Sequence, residues 1–459
     1  MEEFRIESDS IGQKQVPIDA YYGVQSLRAK ENFKISGRKV HPEFIKSIVE
    51  IKKAAAITNK AAGAIPEHIA DAMISACDEI LSGKLLKHFI VDAVQGGAGT
   101  SLNMNANEVI ANRAIEILGG KKGDYTLVHP NDHANCAQST NDVFPSAGKI
   151  ASIRLLKRAI VCLESFYKAL KEKAEEFNGV IKMGRTEMQD AVPISFGQIF
   201  SAYAHAIERD IERFSFAIQA LSSLNMGGTA IGTGITATKE YIENIVPTLC
   251  LVTKLELRQA EDLVDATQNL DTFVLVSGII KSCAVNLSKM ANDLRLMSSG
   301  PRTGFNEINL PAKQNGSSIM PGKINPVIPE VINQIAFNAI GNDATITHAA
   351  EAGQLELNAF EPIIFYCLFE NLEMIANGLT VFRKDCIEGI TVNKENCEDA
   401  VERSIGIVTA LCPYIGYTKA SEIAKKALKQ KKNIRQLLIE EKVVKKEEID
   451  EILNPLLMI

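Results

Sequence analysis

Apolar positions along the chain recur at helical spacing. Over residues 42–62, Phe44, Ile45, Ile48, Val49, Ile51, Ala54 and Ala55 follow a period of about 3.6 residues, the signature of a helix with one buried face. Over 145–177, Ile150, Ile153, Leu156, Ile160, Leu163, Phe166 and Leu170 repeat at steps of three and four. No glycine or proline follows Gly148 in that run, which makes it longer than an ordinary globular helix. The same pattern predicts long helices over 194–224, 263–297, 327–350 and 361–382. Helices of this length gain most of their stability by packing an apolar face. The chain is therefore predicted to be mainly all-α, with an elongated helix bundle at its centre. Three regions are expected. A mostly helical N-terminal region over 1–140 is more broken by Gly, Pro and Asn, and the long-helix bundle follows over 141–392. A small helical C-terminal region over 393–459 carries short Lys- and Glu-rich helices at 425–432 and 440–448. The bundle helices are apolar on more than one face, which predicts packing against other subunits.

Composition narrows the function classes. A chain of 459 residues corresponds to about three domains of ~150 residues and buries a sizeable core without metals or disulfides. With 50 Lys+Arg against 56 Asp+Glu the net charge is −6, so no basic face for nucleic acid or a membrane surface is expected. No stretch reaches the ~20 uncharged apolar residues of a membrane span, and the acidic start Met1-Glu2-Glu3-Phe4-Arg5 is unlike a secretory signal. Nine cysteines are scattered with no C-x-x-C pair, which predicts reduced thiols and a cytoplasmic location. His129 and His133 are separated by Pro130 and Asn131 and lack a third ligand nearby, so no metal site is expected. Loop histidines bonded to backbone are the expectation there.

Candidate chemistry lies where small hydroxyl and amide residues interrupt the helical pattern. Three segments stand out: Gly96-Gly97-Ala98-Gly99-Thr100-Ser101 with Asn103, Asn105, Asn107 and Glu108 behind it; Gln138-Ser139-Thr140-Asn141-Asp142; and Gly316-Ser317-Ser318-Ile319-Met320-Pro321-Gly322-Lys323-Ile324-Asn325-Pro326. A weaker fourth is Gly184-Arg185-Thr186-Glu187-Met188-Gln189-Asp190. Taken singly, such strings are turns and helix caps. The third segment is not a phosphate loop, because five residues separate its glycines and Ile324 stands where the Mg-binding hydroxyl belongs. No strand-borne G-x-G-x-x-G is present either, so the residues point to cofactor-free chemistry. Together they form a set suited to a small dianion: Thr100, Ser139, Thr140 and Asn141 offer neutral donors, and Lys323 a cation. Ser317 sits in a loop stiffened by Pro321 and Pro326 and hinged at Gly322, a composition suited to closing over a substrate.

The third segment resembles the signature loop of the aspartase/fumarase superfamily, and the resemblance runs from Arg5 to about Ile452. Ala20-Tyr21-Tyr22-Gly23-Val24, Gly96-Gly97-Ala98-Gly99-Thr100-Ser101 and Asn306-Glu307-Ile308-Asn309-Leu310-Pro311 are similar to its ammonia-lyase branch. Fumarases typically read Trp-Gly in the first stretch and Gly-Ser-Gly-Thr in the second. The resemblance implies a homotetramer with a shared multi-helix core, active sites assembled from three subunits, and no cofactor. It also implies reversible anti elimination of ammonia from L-aspartate to give fumarate. Position by position, it implies Ser317 as the general base taking the Cβ proton. Thr100, Ser139, Thr140 and Ser318 correspond to residues holding the β-carboxylate, and Thr186, Lys323 and Asn325 to those holding the α-carboxylate. Asn141 and position 187 face the leaving amine.

The chemistry explains these residue types. A Cβ–H beside a carboxylate is very weakly acidic, so its carbanion must be held as an enediolate with two negative charges on one carboxyl group. Fixed hydrogen-bond donors meet that demand, each worth about 3–4 kcal/mol if it behaves as an oxyanion-hole donor. A serine base needs its alkoxide stabilised, which Lys323 and loop amides would do once water is excluded. Position 187 is commonly His in the superfamily, or Gln in some ammonia-lyases, and is Glu187 here. An ionised Glu187 is expected to pair with a substrate ammonium; an outward-facing residue in an ordinary ion pair is the alternative. A class II fumarase and a catalytically silent binding or structural homologue are the other readings, the latter opposed by the intact Ser317, Lys323 and Asn325.

Overall fold

The computed structural model describes residues 3–458; Met1 and Glu2 of the acidic start, and Ile459, lie outside the described residues. Strands β1 (Phe4–Asp9) and β2 (Gly12–Pro17) form an antiparallel hairpin. Helices α1 (Val24–Asn32), α2 (Pro42–Ala61), α3 (Glu67–Leu81) and α4 (Thr100–Ile117) follow, then the longest, α5 (Thr140–Glu176). A second antiparallel hairpin, β3 (Ile181–Thr186) and β4 (Gln189–Ser195), precedes α6 (Phe196–Leu221) and α7 (Lys239–Thr253). After the one-turn α8 (Asp265–Gln268) come three long helices: α9 (Asp271–Met297), α10 (Val327–Glu351) and α11 (Glu361–Asp385). Five short α-helices follow among the described residues: α12 (Lys394–Arg403), α13 (Cys412–Ile415), α14 (Tyr417–Gln430), α15 (Ile434–Glu441) and α16 (Lys446–Ile452). The mainly all-α expectation holds.

Several boundaries differ from the pattern, each for a local reason. The longest helix starts at Thr140, not at 145, and Pro145 lies inside it. Proline removes the bond to the carbonyl four residues back, and that carbonyl, on Asn141, accepts instead from Asn225 Nδ2 at 2.9 Å. The stretch predicted over 263–297 is broken where Asn269 turns extended (ψ 133°). The predicted helix over 440–448 is two helices, because Lys442 adopts φ 52° and closes α15. The hairpin strands escaped the helical reading altogether. Among the described residues one helix, α9, is long and apolar enough by length and composition to cross a membrane, with mean hydropathy 1.3 over 18 residues. Half of that window is buried in the chain itself; the sequence expectation had counted only uncharged runs.

By proximity the chain divides into two compact units. One comprises the chain up to Ile160 with Arg213–Lys281 and Asn338–Met374; the other comprises Val161–Glu212, Ser282–Phe337 and the chain from Ile375 onward. The first unit is centred on Phe44, Phe144, Phe273, Phe365 and Phe369, whose ring centroids lie 4.8–5.7 Å apart in edge and tilted contacts, with Phe365 and Phe369 stacked. Each buried ring contributes about 1.5–3 kcal/mol by area alone, with aromatic geometry adding to it. Gly148 is pressed so closely on Phe365 that a Cβ would sit 2.0 Å from the ring. In the second unit the C-terminal helices bury Val401, Leu411, Ile423, Leu437, Leu438 and Ile449 against Met183 of β3. Their Lys- and Glu-rich faces are therefore one side of amphipathic elements, and they hold the β3–β4 hairpin in place: Ser404 donates to Asp190 at 2.9 Å, and Gly406 abuts the Ala191 carbonyl.

Candidate active site

Two helix starts meet in the first unit. The chain enters α4 through Gly97, Ala98 and Gly99, all at positive φ (83°, 54° and 91°), and Thr100 is the first helical residue. A Cβ on Gly99 would lie 2.2 Å from the Phe144 ring of α5, so only glycine lets the two helix N-termini come together. The α5 start is capped reciprocally: Ser139 Oγ accepts the Asn141 amide at 3.2 Å and Asp142 accepts the Ser139 amide at 2.9 Å. Asp142 is fully buried, and its other oxygen accepts the Gly227 and Thr229 amides at 3.2 and 3.1 Å. Burial pushes its carboxyl up to about 6. Asn141 Nδ2 donates to the Ala230 carbonyl at 2.7 Å, which leaves Oδ1 as the acceptor on the other side of the amide. Converging helix N-termini, with hydroxyls on Thr100, Ser139 and Thr140, are an arrangement suited to an anion.

A buried polar network lies behind this site. Lys52 of α2 has no exposed surface and donates to Asn135 Oδ1 at 3.0 Å and Gln138 Oε1 at 2.9 Å. Burial brings its ammonium down to about 7, against the opposing pull of Asp142. Asn103 Nδ2 donates to Asn135 Oδ1 at 3.1 Å and to Thr140 Oγ1 at 3.2 Å, and Asn107 Nδ2 donates to Asn135 Oδ1 at 3.2 Å. Lys52 and Asn135 do not stand out as site residues in the sequence, and Asn103 falls there only in a polar run. The signal for Lys52 was its phase: it falls between Ile48 and Ala55 on the buried stripe of α2. His129 and His133 both accept backbone amides through Nδ1, as expected, but His133 lies in a π-helical turn over Pro130–Ala134 and not in a loop.

The other predicted residues lie in the second unit, in two groups. The first is the loop 316–326, whose neck is closed by Gly316 N donating to the Lys323 carbonyl at 2.8 Å and Asn325 Nδ2 to the Gly316 carbonyl at 2.8 Å. Just past the neck, Ser317 Oγ accepts the amides of Ile319 and Met320 at 3.2 and 3.0 Å. Two amides aimed at one hydroxyl oxygen favour its alkoxide, as donors around an oxyanion do. Ser318 and Lys323 are exposed, while Ser317 and Asn325 are half-buried. Lys323 and Asn325 line a cavity of about 720 Å³ with Arg295, Asn306 and Glu330.

The second group is the tip of the β3–β4 hairpin. Thr186 pairs with Gln189, so Glu187 and Met188 are the two turn residues, both at positive φ (53° and 66°) and both exposed. A two-residue turn of this hand normally uses Asn-Gly, so the tip carries backbone strain. Its base is anchored by Glu307, almost fully buried between Arg185 (2.6 Å) and Lys182 (3.2 Å), with the Arg185 guanidinium 4.1 Å over the Phe305 ring. Thr186 and Glu187 line a separate cavity of about 980 Å³. Among the described residues no group of three or more His, Cys, Asp or Glu is placed to hold a metal ion. Of the ten predicted site residues, Thr100, Ser139, Thr140 and Asn141 belong to the first unit; in the second, Thr186 and Glu187 form one group and Ser317, Ser318, Lys323 and Asn325 another.

The chain is similar to known proteins over nearly its whole length. Residues 12–341 match the family described as lyase and residues 407–459 the fumarase C C-terminus. The aspartate ammonia-lyase of Bacillus subtilis is 51% identical over 453 residues, covering 99% of this chain and 95% of its own length. That of Escherichia coli is 47% identical over 453 residues, covering 98% and 95%. The solved structure of fumarate lyase:delta crystallin from Brucella melitensis bound to cobalt superposes with a TM-score of 0.96 at 46% identity, covering 99% of both chains. A class II fumarase from Schistosoma mansoni superposes with a TM-score of 0.96 at 35% identity, again over 99% of both. The chain belongs to the aspartase/fumarase superfamily of lyases, in its aspartate ammonia-lyase branch.

Proposed function

We infer that this chain is a carbon–nitrogen lyase that eliminates ammonia from L-aspartate, reversibly, to give fumarate. The observation that carries this reading is identity of 47–51% to curated aspartate ammonia-lyases over 98–99% of the chain. In the mechanism, Ser317 as alkoxide takes a proton from Cβ, and the electron pair left behind is held as an enediolate on the β-carboxylate. That pair then forms the carbon–carbon double bond while the C–N bond breaks towards nitrogen, releasing neutral ammonia from the substrate ammonium. The two amides on Ser317 Oγ support its role as base. The hydroxyls and helix N-termini at Thr100, Ser139 and Thr140, with Ser318, serve the β-carboxylate; Thr186, Lys323 and Asn325 serve the α-carboxylate. Asn141 Oδ1 and Glu187 face the ammonium, which Glu187 favours over the neutral hydroxyl of malate. No cofactor enters the chemistry.

The same reading makes the enzyme a homotetramer with each active site drawn from three subunits. Large apolar side chains exposed along the long helices support it: Leu275, Val285, Val331, Ile340 and, 63% exposed, Phe337. It places the enzyme in the cytoplasm, where nine free thiols stay reduced. The class II fumarase likeness favours a second reading, hydration of fumarate to malate. Purified protein given L-aspartate and L-malate in parallel separates the two. Equimolar fumarate and ammonia from aspartate, with no fumarate from malate, is the predicted result; fumarate from malate alone would make it a fumarase.

A further inference from the structure

We propose that Asn103, held by Asn135 and Lys52, is a positioning residue that sets the direction of the Thr140 hydroxyl. It makes the hydroxyl oxygen an acceptor on its inner side, so that the proton is presented outward to the substrate carboxylate. The inference rests on the ammonia-lyase reading and on Thr140 holding that carboxylate.

Asn135 Nδ2 donates to the Gln138 carbonyl at 3.1 Å, and Gln138 Nε2 donates to the carbonyls of Cys136 and Ala134 at 3.0 and 3.3 Å. Both amides therefore turn their oxygens towards Lys52, whose amine donates both bonds in either protonation state. Asn135 Oδ1 then faces three donors, on Lys52, Asn103 and Asn107. Asn103 must show it nitrogen, since an oxygen there would meet an oxygen. Its two hydrogens sit on the same nitrogen, and the second goes to Thr140 Oγ1. The oxygen of Asn103 is left buried without a partner, so its orientation is dictated by the chain and not by its own acceptor. A threonine hydroxyl has one proton. With its oxygen occupied from the protein side, that proton is free for the anion site formed by the two helix starts. The enediolate draws more charge onto its carboxylate than the ground state does, so a donor fixed in direction acts mainly on kcat.

The test is a double-mutant cycle on the tetrameric enzyme with L-aspartate. Asn103→Asp keeps the shape but offers oxygen on both sides and turns the Thr140 proton inward. Both Asn103→Asp and Thr140→Val should lower kcat/KM about 10²-fold, chiefly through kcat. Combined, they should lose no more than about threefold beyond either alone, because they remove the same donor. Lys52→Met, which disturbs the same chain from its far end, should cost about tenfold in kcat, and nothing further once Thr140 is Val. Should Asn103→Asp fail to fold, the Lys52→Met cycle decides by the same criteria. A merely structural role would give additive losses and a lower melting temperature. Additive losses, or a folded Asn103→Asp enzyme within about twofold of wild type, would overturn the inference. An unchanged Thr140→Val enzyme would overturn it too. A wild-type protein that releases no ammonia from aspartate would instead condemn the ammonia-lyase reading.

Discussion

A single lysine illustrates how the site is underpinned. Lys52 is wholly buried, and desolvation brings its ammonium from the ordinary 10.5 to about 7. The unfolded chain keeps this proton up to about 10.5 while the folded chain releases it near 7. Between those values the unfolded state binds more protons, so this group makes stability rise with pH there and leaves it flat below. Denaturant titrations of wild type and Lys52→Met between pH 6 and 10 should therefore show wild type gaining on the variant as pH rises above about 7; parallel curves would mean that Lys52 titrates normally. Thr100, Ser139, Thr140, Asn141, Ser317 and Lys323 stand out in the sequence as polar residues clustered at breaks in the helical pattern, whereas Thr186, Glu187, Ser318 and Asn325 are named through the family resemblance. Lys52 was legible only as a charge on an apolar stripe, and Asn135 not at all, since its role depends on which neighbours the folded chain brings within hydrogen-bonding distance.

At the scale of elements, the proposed chemistry rests on the loop 316–326 and on two helix starts, of which α5 is capped by Ser139 and Asp142. Gly316 closes the loop neck so tightly that a Cβ would sit 2.6 Å from the Lys323 carbonyl and 2.8 Å from the Asn325 amide. Gly316→Ala is therefore expected to lower kcat/KM at least about tenfold by displacing Ser317 and Asn325. The melting temperature should stay within about 2 °C, because the loop is not core. A fully active Gly316→Ala enzyme would mean that the neck geometry is immaterial. The long helices were readable from periodicity because each buries a face along most of its length. Their ends were less so: the α5 start is fixed by the Ser139–Asp142 cap and by Asn225 satisfying the carbonyl that Pro145 strands. The β3–β4 hairpin was missed because what holds it, Met183 in the C-terminal core and Arg185 on Glu307, is tertiary.

For the whole molecule, the proposed tetramer and the chemistry stand together. Phe337 is exposed in the isolated chain, on a long helix with other bare apolar side chains. Phe337→Glu should dissociate the assembly in sedimentation experiments and abolish activity in step with dissociation; an active monomer would contradict a site shared among subunits. Beneath the assembly lies one chemical claim, that Ser317 removes the Cβ proton of aspartate. Its most direct test is the stoichiometric release of ammonia and fumarate from L-aspartate by wild type and by Ser317→Ala, at matched tetramer concentration. The account predicts product from the wild type and a kcat lowered by at least about 10³-fold in the variant, with its fold and assembly intact. A Ser317→Ala enzyme turning over near the wild-type rate would contradict it.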